Sequence, residues 1–373
     1  MVIAGEVSGD MHGASLIMEL HKLDKEIKIY GIGGDKMISA GMQTAYHINS
    51  MAFLGFAEVI KHIPFIRKVQ NDLIKIVKEK KINLVVLIDY PGFNLSIAKK
   101  FKKLGLKIIY YISPQIWAWG SDRIKKIKYL IYKMLVVFPF EKKYYSEKGV
   151  PVEYVGHPLL DQIENYKFIS KEDLYINFNL IQGKEILLIL PGSRKHEVEK
   201  ILPVSIKAAK KVAKEIGMQI VIASSSNIDE SVYKNIVKSN DVKLIKGFTY
   251  DLLKYSKIGI IKSGTSTLEA ALLGLPMIIV YKTNLLTYLI GKKLIKINNI
   301  GMANIIAEEV VAPELIQNNL SEENIYSELK RILTEKDTYT IIKDKMINIK
   351  LKLGLPGAAE RAAKIIYQSL NEA

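Results

Sequence analysis

Carboxylates and cations in this chain stand at the ends of short apolar runs, where a ligand could meet them. In Leu84-Val85-Val86-Leu87-Ile88-Asp89-Tyr90-Pro91-Gly92-Phe93-Asn94, Asp89 stands just past a wholly apolar run, at the end where α/β active sites form. It can accept a proton from an attacking hydroxyl, or it can cap a helix that begins after Pro91. The two readings stand level. Glu6 lies in the turn Gly5-Glu6-Val7-Ser8-Gly9-Asp10. Ser8 or Gly9 can cap a helix there while backbone N–H groups face an anion or a sugar hydroxyl. A tight strand-to-helix connection with a solvated Glu is the plainer account.

Two stretches suit an anion. Leu190-Pro191-Gly192-Ser193-Arg194 follows a buried run and precedes a helical pattern from Glu197, so Gly192 permits close backbone approach and Arg194 offers a bidentate phosphate fork. A surface ion pair is the alternative for Arg194. Lys262-Ser263-Gly264-Thr265-Ser266-Thr267-Leu268-Glu269 presents hydroxyls and N–H groups at a helix start, where the dipole favours a diphosphate by ~0.3–1 kcal/mol. An ordinary Ser/Thr cap explains its first residues equally well. It does not explain Glu269, which can accept hydrogen bonds from ribose hydroxyls. Ser113-Pro114-Gln115-Ile116-Trp117-Ala118-Trp119-Gly120 gathers both tryptophans in one loop. Their flat apolar faces suit sugar rings or acyl chains, or simple packing.

The elements that must carry these groups alternate along the chain. Candidate strands at Val2–Ala4, Ile27–Tyr30, Leu84–Ile88, Lys107–Tyr111, Met134–Phe138 and Val152–Val155 are interleaved with helical patterns at Gly9–His21, Ala57–Lys78, Leu95–Lys103 and Arg123–Ile131. The pattern restarts after His157-Pro158, with strands at Ile186–Leu190, Gln219–Ala223, Lys243–Ile245, Ile258–Ile260 and Met277–Val280. Such alternation means βα units and parallel sheets. The expected fold class is α/β: two doubly wound, Rossmann-like domains facing a cleft, spanning 1–160 and 161–355. A closing helix over 356–373 is expected to dock across them. The first strand is short for a buried parallel strand, so a few native residues are expected to be missing before it.

Composition narrows the classes. With 373 residues, 49% hydrophobic and 25% charged, disorder and fibrous folds are excluded. Cysteine is absent, which removes disulfides, thiolate zinc sites and Cys nucleophiles and favours the cytoplasm. No window of ~18 uncharged apolar residues suggests a membrane span. A net charge of +16 favours anionic partners, although Lys and Ile enrichment through coding bias explains it as well. No G-x-G-x-x-G follows a strand, no P-loop occurs, and His196-Glu197 lacks the second His of a zincin.

Taken in order, AGEVSGDMHGA, IDYPGFN, YISPQIWAWG, YVGHPL, LPGSRKHEVE and SGTSTLEAALLGLPMIIVYKTN closely resemble the lipid-A-disaccharide synthase family of Gram-negative bacteria, from Ala4 to about Ala363. The resemblance implies the GT-B glycosyltransferase architecture and transfer of 2,3-diacylglucosamine from its UDP derivative to 2,3-diacylglucosamine 1-phosphate. The products would be the β-1′,6 disaccharide and UDP. It places the acceptor in the first domain, with Ser8, Gly9, Asn94, Gln115 and Trp117, and the UDP-sugar in the second. There the donor residues are Gly192, Ser193, Arg194, Ser263, Gly264, Thr265, Ser266, Thr267, Glu269 and Asn304. Val7 departs from the family, where a small Ala is commoner.

Asp89 is then the expected base, Glu6 its rival, and Arg194 with the Ser263–Thr267 helix start the stabiliser of departing UDP. No cofactor and no metal are expected, since no acidic pair with metal spacing flanks the diphosphate site. Other expected partners are an anionic inner-membrane surface, reached peripherally from the cytoplasmic face, and no nucleic acid; a homodimer stays open. The membrane contact is expected in Met51–Val77, through Phe53, Phe56 and Phe65 with Arg67 and Lys68 at the headgroups. An ordinary crossover helix is the alternative. Two rival functions remain: another GT-B enzyme acting on UDP-N-acetylglucosamine, either a lipid-acceptor transferase or a UDP-sugar 2-epimerase, and a basic nucleic-acid-binding protein.

Overall fold

The structure is a computed structural model that describes residues 1–51, 62–118, 120, 123–239, 241–284, 288 and 299–372. Two compact units emerge, Met1–Gln162 together with Leu355–Ala373, and Ile163–Gly354.

In the first unit, β1 (Val2–Ala4), β2 (Tyr30–Gly33), β3 (Gln43–His47), β4 (Leu84–Ile88), β5 (Lys107–Tyr111), β6 (Lys133–Val136) and β7 (Val152–Tyr154) form one parallel sheet. Its order is β3-β2-β1-β4-β5-β6-β7. In the second, β8 (Ile186–Leu190), β9 (Gln219–Ser224), β10 (Val242–Lys246), β11 (Ile258–Lys262), β12 (Met277–Tyr281) and β13 (Glu314–Ile316) follow the order β10-β9-β8-β11-β12-β13, again all parallel. The central strands are buried along their whole length, as in Leu84–Ile88 and Ile186–Leu190, because helices cover both faces of a doubly wound sheet. Each sheet reverses its winding beside its first strand, between β1 and β4 and between β8 and β11. Ligands of open α/β sheets bind at such points.

Several elements differ from the pattern in the sequence. β2 lies over Tyr30–Gly33 rather than Ile27–Tyr30. Its glycines have little strand propensity, yet a Cβ on Gly31 would stand 1.7 Å from the Val2 carbonyl oxygen, so close strand pairing demands glycine. β3 is a partly exposed strand at the sheet edge, polar in sequence and without an apolar run. The closing helix, Ala358–Asn371, belongs to the first unit, where it packs on Val7–Leu23. Asp161 caps it by accepting from the Gly357 and Ala358 N–H groups, and Arg361 Nε donates to the Val155 carbonyl at 2.7 Å.

The expected membrane-facing segment is described only in part. Phe53 and Phe56 lie outside the described residues. Met51 is buried, and helix Ile63–Glu79 turns Val69, Leu73 and Val77 into the core. Phe65 packs partly buried on that core and edge-on to Tyr46, with ring centroids 5.9 Å apart. An amphipathic crossover helix explains that placement. Arg67 and Lys68 are exposed.

Candidate active site

At the first switch point, Ala4 pairs with Ile88, so the turns after β1 and β4 leave the sheet side by side. They bring Glu6 and Asp89 together. Burial, then the Glu6 charge, push the Asp89 carboxyl up to about 6. The backbone there is strained. Asp89 and Tyr90 both adopt left-handed conformations, at φ 42° and 47°, which cost non-glycine residues energy and concentrate at functional sites.

Three groups hold that conformation. Asn94, fully buried, donates through Nδ2 to the Ile88 carbonyl at 3.1 Å and to that of Asp89 at 2.7 Å. Tyr110 Oη donates to the Asp89 carbonyl at 2.5 Å, and the Asp89 N–H donates to Tyr111 O at 3.1 Å. Asn94, expected to touch the acceptor, therefore spends the NH2 of its amide on the loop that presents Asp89. Gly5 is required for a different reason: a Cβ there would meet the Tyr90 ring at 2.2 Å.

Ser8 is exposed and Gly9 buried against Ala4. Asp10, which the sequence did not single out, is buried and accepts from the N–H groups of Gly34, Lys36 and Met37, tying the first helix to the start of Asp35–Ser39.

Beyond β5, Gln115 is exposed, and Trp117 Nε1 donates to Glu141 Oε1 at 3.0 Å. The same buried carboxylate accepts from Ser113 Oγ at 2.5 Å and from the N–H groups of Phe138 and Val137. Burial pushes Glu141 up to about 7 against those four donors. Trp119 lies outside the described residues. Near this loop, His157 stacks obliquely on Phe138 with centroids 4.9 Å apart, and burial lowers it to about 3.

The second switch point carries a cavity of about 610 Å³, within the size range of small-molecule sites. Gly192, Ser193, Arg194, Gly264, Thr265, Ser266 and Glu269 all line it. Tyr166, Glu197, Ser224, Tyr250 and Lys262 join them. Gly192, at φ 123°, could not be replaced, since a Cβ would stand 2.5 Å from Glu197 Oε2. Glu197 is the organiser: it accepts from Ser193 N–H at 3.2 Å, pairs with Lys262 Nζ at 2.9 Å and has Arg194 Nη1 at 3.9 Å. Burial opposes its charge, but Lys262, the Ser193 N–H and Arg194 outweigh that and hold it below the usual carboxylate range. Arg194 itself is largely exposed, its side chain at 70%.

Glu269 sits one turn into helix Thr265–Leu272. Burial raises its pKa against a hydrogen bond from Tyr250 Oη at 3.3 Å.

Ser263, Thr267 and Asn304, expected at the donor, lie outside that lining. Ser263 Oγ donates to Ile300 O at 2.9 Å; Thr267 Oγ1 donates to Gly264 O at 2.8 Å and accepts from Met302 N–H. Asn304 is fully buried, donating to Ala312 O and Glu314 Oε1 and accepting from the N–H groups of Val311 and Ala312. These side chains fix the segment after Ile300 to the helix start, and their own polar atoms are taken up inside the protein. Among the described residues no group of three or more His, Asp or Glu side chains could hold a metal ion.

Beside the cavity at one switch point and the two neighbouring carboxylates at the other, comparison with known proteins decides the family. The sequence profile described as lipid-A-disaccharide synthetase matches residues 1–367. The chain belongs to the lipid-A-disaccharide synthase family. Its relatives include the lipid-A-disaccharide synthases of Syntrophus aciditrophicus, 42% identical over 97% of this chain and 95% of that protein, and of Geobacter sulfurreducens, 37% identical over 100% and 97%. The family is one of glycosyltransferases, which favours that activity over an epimerase or a nucleic-acid-binding protein. Among solved structures, UDP-GlcNAc 2-epimerase from Neisseria meningitidis, bound to UDP-GlcNAc, shares the fold at TM-score 0.67 and 17% identity, covering 99% of this chain and 98% of its own. CalG4, the calicheamicin glycosyltransferase, does so at TM-score 0.62 and 13% identity, covering 100% and 98%. At such identities the likeness concerns fold alone, and it places the chain in the GT-B architecture.

Proposed function

We propose that this enzyme transfers 2,3-diacylglucosamine from UDP-2,3-diacylglucosamine to the 6-hydroxyl of 2,3-diacylglucosamine 1-phosphate, giving the β-1′,6 disaccharide and UDP. The single observation that carries the reading is family membership along 1–367; the residues at the two switch points supply a chemistry for it.

The acceptor oxygen attacks the anomeric carbon as the bond to the diphosphate oxygen breaks on the opposite face, so configuration inverts. Asp89 takes the hydroxyl proton. Its carboxyl, at about 6, is ionised at neutral pH yet basic enough to receive a proton in the transition state. UDP departs as an anion and needs no proton. Arg194 and the N–H groups at the start of Thr265–Leu272 meet the charge that develops on it, while Glu269 accepts from the ribose. Glu6 raises the basicity of Asp89. Ser8, Gln115 and Trp117 border the acceptor.

Acylated substrates give the protein a reason to work at an anionic bilayer surface, peripherally and from the cytoplasmic side. Exposed Arg67 and Lys68 suit its headgroups. No helix among the described residues is long and apolar enough to cross a membrane. A homodimer is compatible with this reading and is checked by light scattering.

The deciding experiment incubates the protein with both diacyl sugars and follows products by mass spectrometry. A disaccharide 1-phosphate and equimolar UDP are expected; UDP-sugar consumed without disaccharide would sink the proposal.

A further inference from the structure

Lysine is abundant here and mostly solvated, but Lys262 is not. It ends β11 at the second switch point, lines the cavity and is only 20% exposed. A buried ammonium is costly unless paired, and its partner Glu197, 6% exposed, lies at 2.9 Å. That pairing satisfies one of the three N–H donors of an ammonium. The charge also lies close to the helix start: a Cβ on Gly264 would have Lys262 Nζ as its nearest neighbour, at 3.7 Å. With no side chain on Gly264, nothing from that residue stands between the ammonium and an anion at the N–H groups of Thr265 and Ser266.

We propose that Lys262 is a second cation for the diphosphate of the donor, aimed into the cavity by Glu197. The inference rests on the reading of this cavity as a UDP-sugar site and adds a residue to it. Glu197 serves two cations at once. It anchors Lys262 at short range and keeps Arg194, at 3.9 Å, over the same mouth. An arriving diphosphate meets the guanidinium from the solvent side and the ammonium from the sheet side, and Glu197 keeps the two positive groups from repelling each other while the site is empty.

The test uses the full chain and titrates UDP by calorimetry, with uridine as a phosphate-free probe followed by ligand-observed NMR. Lys262→Met keeps most of the side-chain volume and removes the charge. UDP should then bind about 10- to 100-fold more weakly, the worth of one charge-assisted hydrogen bond, with uridine binding unchanged. Lys262→Arg should recover most of the UDP affinity. Should Lys262→Met fail to fold because Glu197 is left unpaired, the double variant Lys262→Met/Glu197→Gln restores neutrality, and Gln still accepts from Ser193; the same selective loss of UDP is expected. Unchanged UDP affinity, or equal losses for UDP and uridine, would make Lys262 a structural partner of Glu197 only. A native protein that binds no UDP would overturn the functional reading itself, a result distinct from either of these.

Discussion

The two sheets of this protein run in the same order through six strands, the first adding a seventh at its edge, yet one switch point gathers carboxylates and the other sets two cations among its carboxylates. Where β1 and β4 part, two carboxylates stand together, and burial, then repulsion from Glu6, push Asp89 up to about 6. Where β8 and β11 part, Arg194 and Lys262 flank a single organising carboxylate, which is held ionised. Backbone geometry differs as well. The first site forces two ordinary residues, Asp89 and Tyr90, into left-handed conformations, while the second relies on Gly192 at φ 123°. Topology places a site and side chains decide its chemistry: in the proposed reaction one end takes a proton and the other holds an anion.

The largest effect should come from breaking the proton-accepting side. Asp89→Asn preserves shape and removes the base, so turnover should fall by ~10²–10⁴-fold with UDP affinity nearly unchanged. In the native enzyme kcat/KM should drop as pH falls through about 6, since the protonated carboxyl cannot accept a proton. A pH-independent rate from 5 to 8 would remove Asp89 from the proton transfer.

Breaking the anion side should cost nearly as much. Arg194→Ala should reduce kcat/KM by ~10²–10³-fold, damaging donor binding and departure together because the charge meets the diphosphate in both states. Arg194→Lys keeps the charge without the bidentate fork and should recover only part. Normal kinetics in Arg194→Ala would reduce it to the surface ion pair with Glu197.

A smaller effect concerns stability and has the opposite sign to the first. The native Asp89 carboxyl, at about 6 against 3.8 unfolded, holds its proton more tightly than the unfolded chain does. That contribution to stability is fully present below about pH 4 and lost as pH rises through 6. At pH 8 the folded protein therefore keeps a buried charge at a cost, and Asp89→Asn avoids it. The variant should be more stable than the native protein by about 1–3 kcal/mol at pH 8, a margin that shrinks at pH 5. Urea unfolding at the two pH values measures it; equal stability at pH 8 would mean that the carboxylate is well solvated.

Much of this contrast was legible in the sequence, because strands buried on both faces read as unbroken apolar runs. β4, β5 and β8 fall where those runs lie, and charge just past β4 and β8 marked Asp89 and Arg194. β2 and β3 were misplaced or missed: one is rich in glycine for close pairing, the other is a polar edge. The internal bonds of Ser263, Thr267 and Asn304 were not legible, because a hydroxyl or amide has the same appearance in a sequence whether it meets a ligand or a carbonyl. Glu197, Lys262 and Glu141 were missed for the converse reason. Their roles depend on partners brought near by folding, as when Glu141 accepts from Ser113, 28 residues away. One local signal existed for Glu197: it falls three residues after Arg194, the spacing that turns a side chain back onto its own helix start.

The smallest effect bears on the pairing of Glu6 with Asp89, and it separates a base from its neighbour. Glu6 stands second to burial among the causes that raise Asp89. Glu6→Gln should therefore shift the acid limb of the kcat/KM profile downward, by less than the whole displacement, because burial remains. Turnover at pH 8 should change little, since Asp89 is ionised there with or without Glu6. The reverse pattern is equally measurable. If Glu6→Gln abolishes turnover at every pH while Asp89→Asn stays active, Glu6 is the base and Asp89 the group that tunes it. If both variants lose turnover and neither shifts the profile, the two carboxylates hold substrate rather than divide acid–base work, and the contrast between a proton-accepting and an anion-holding switch point fails at its first end.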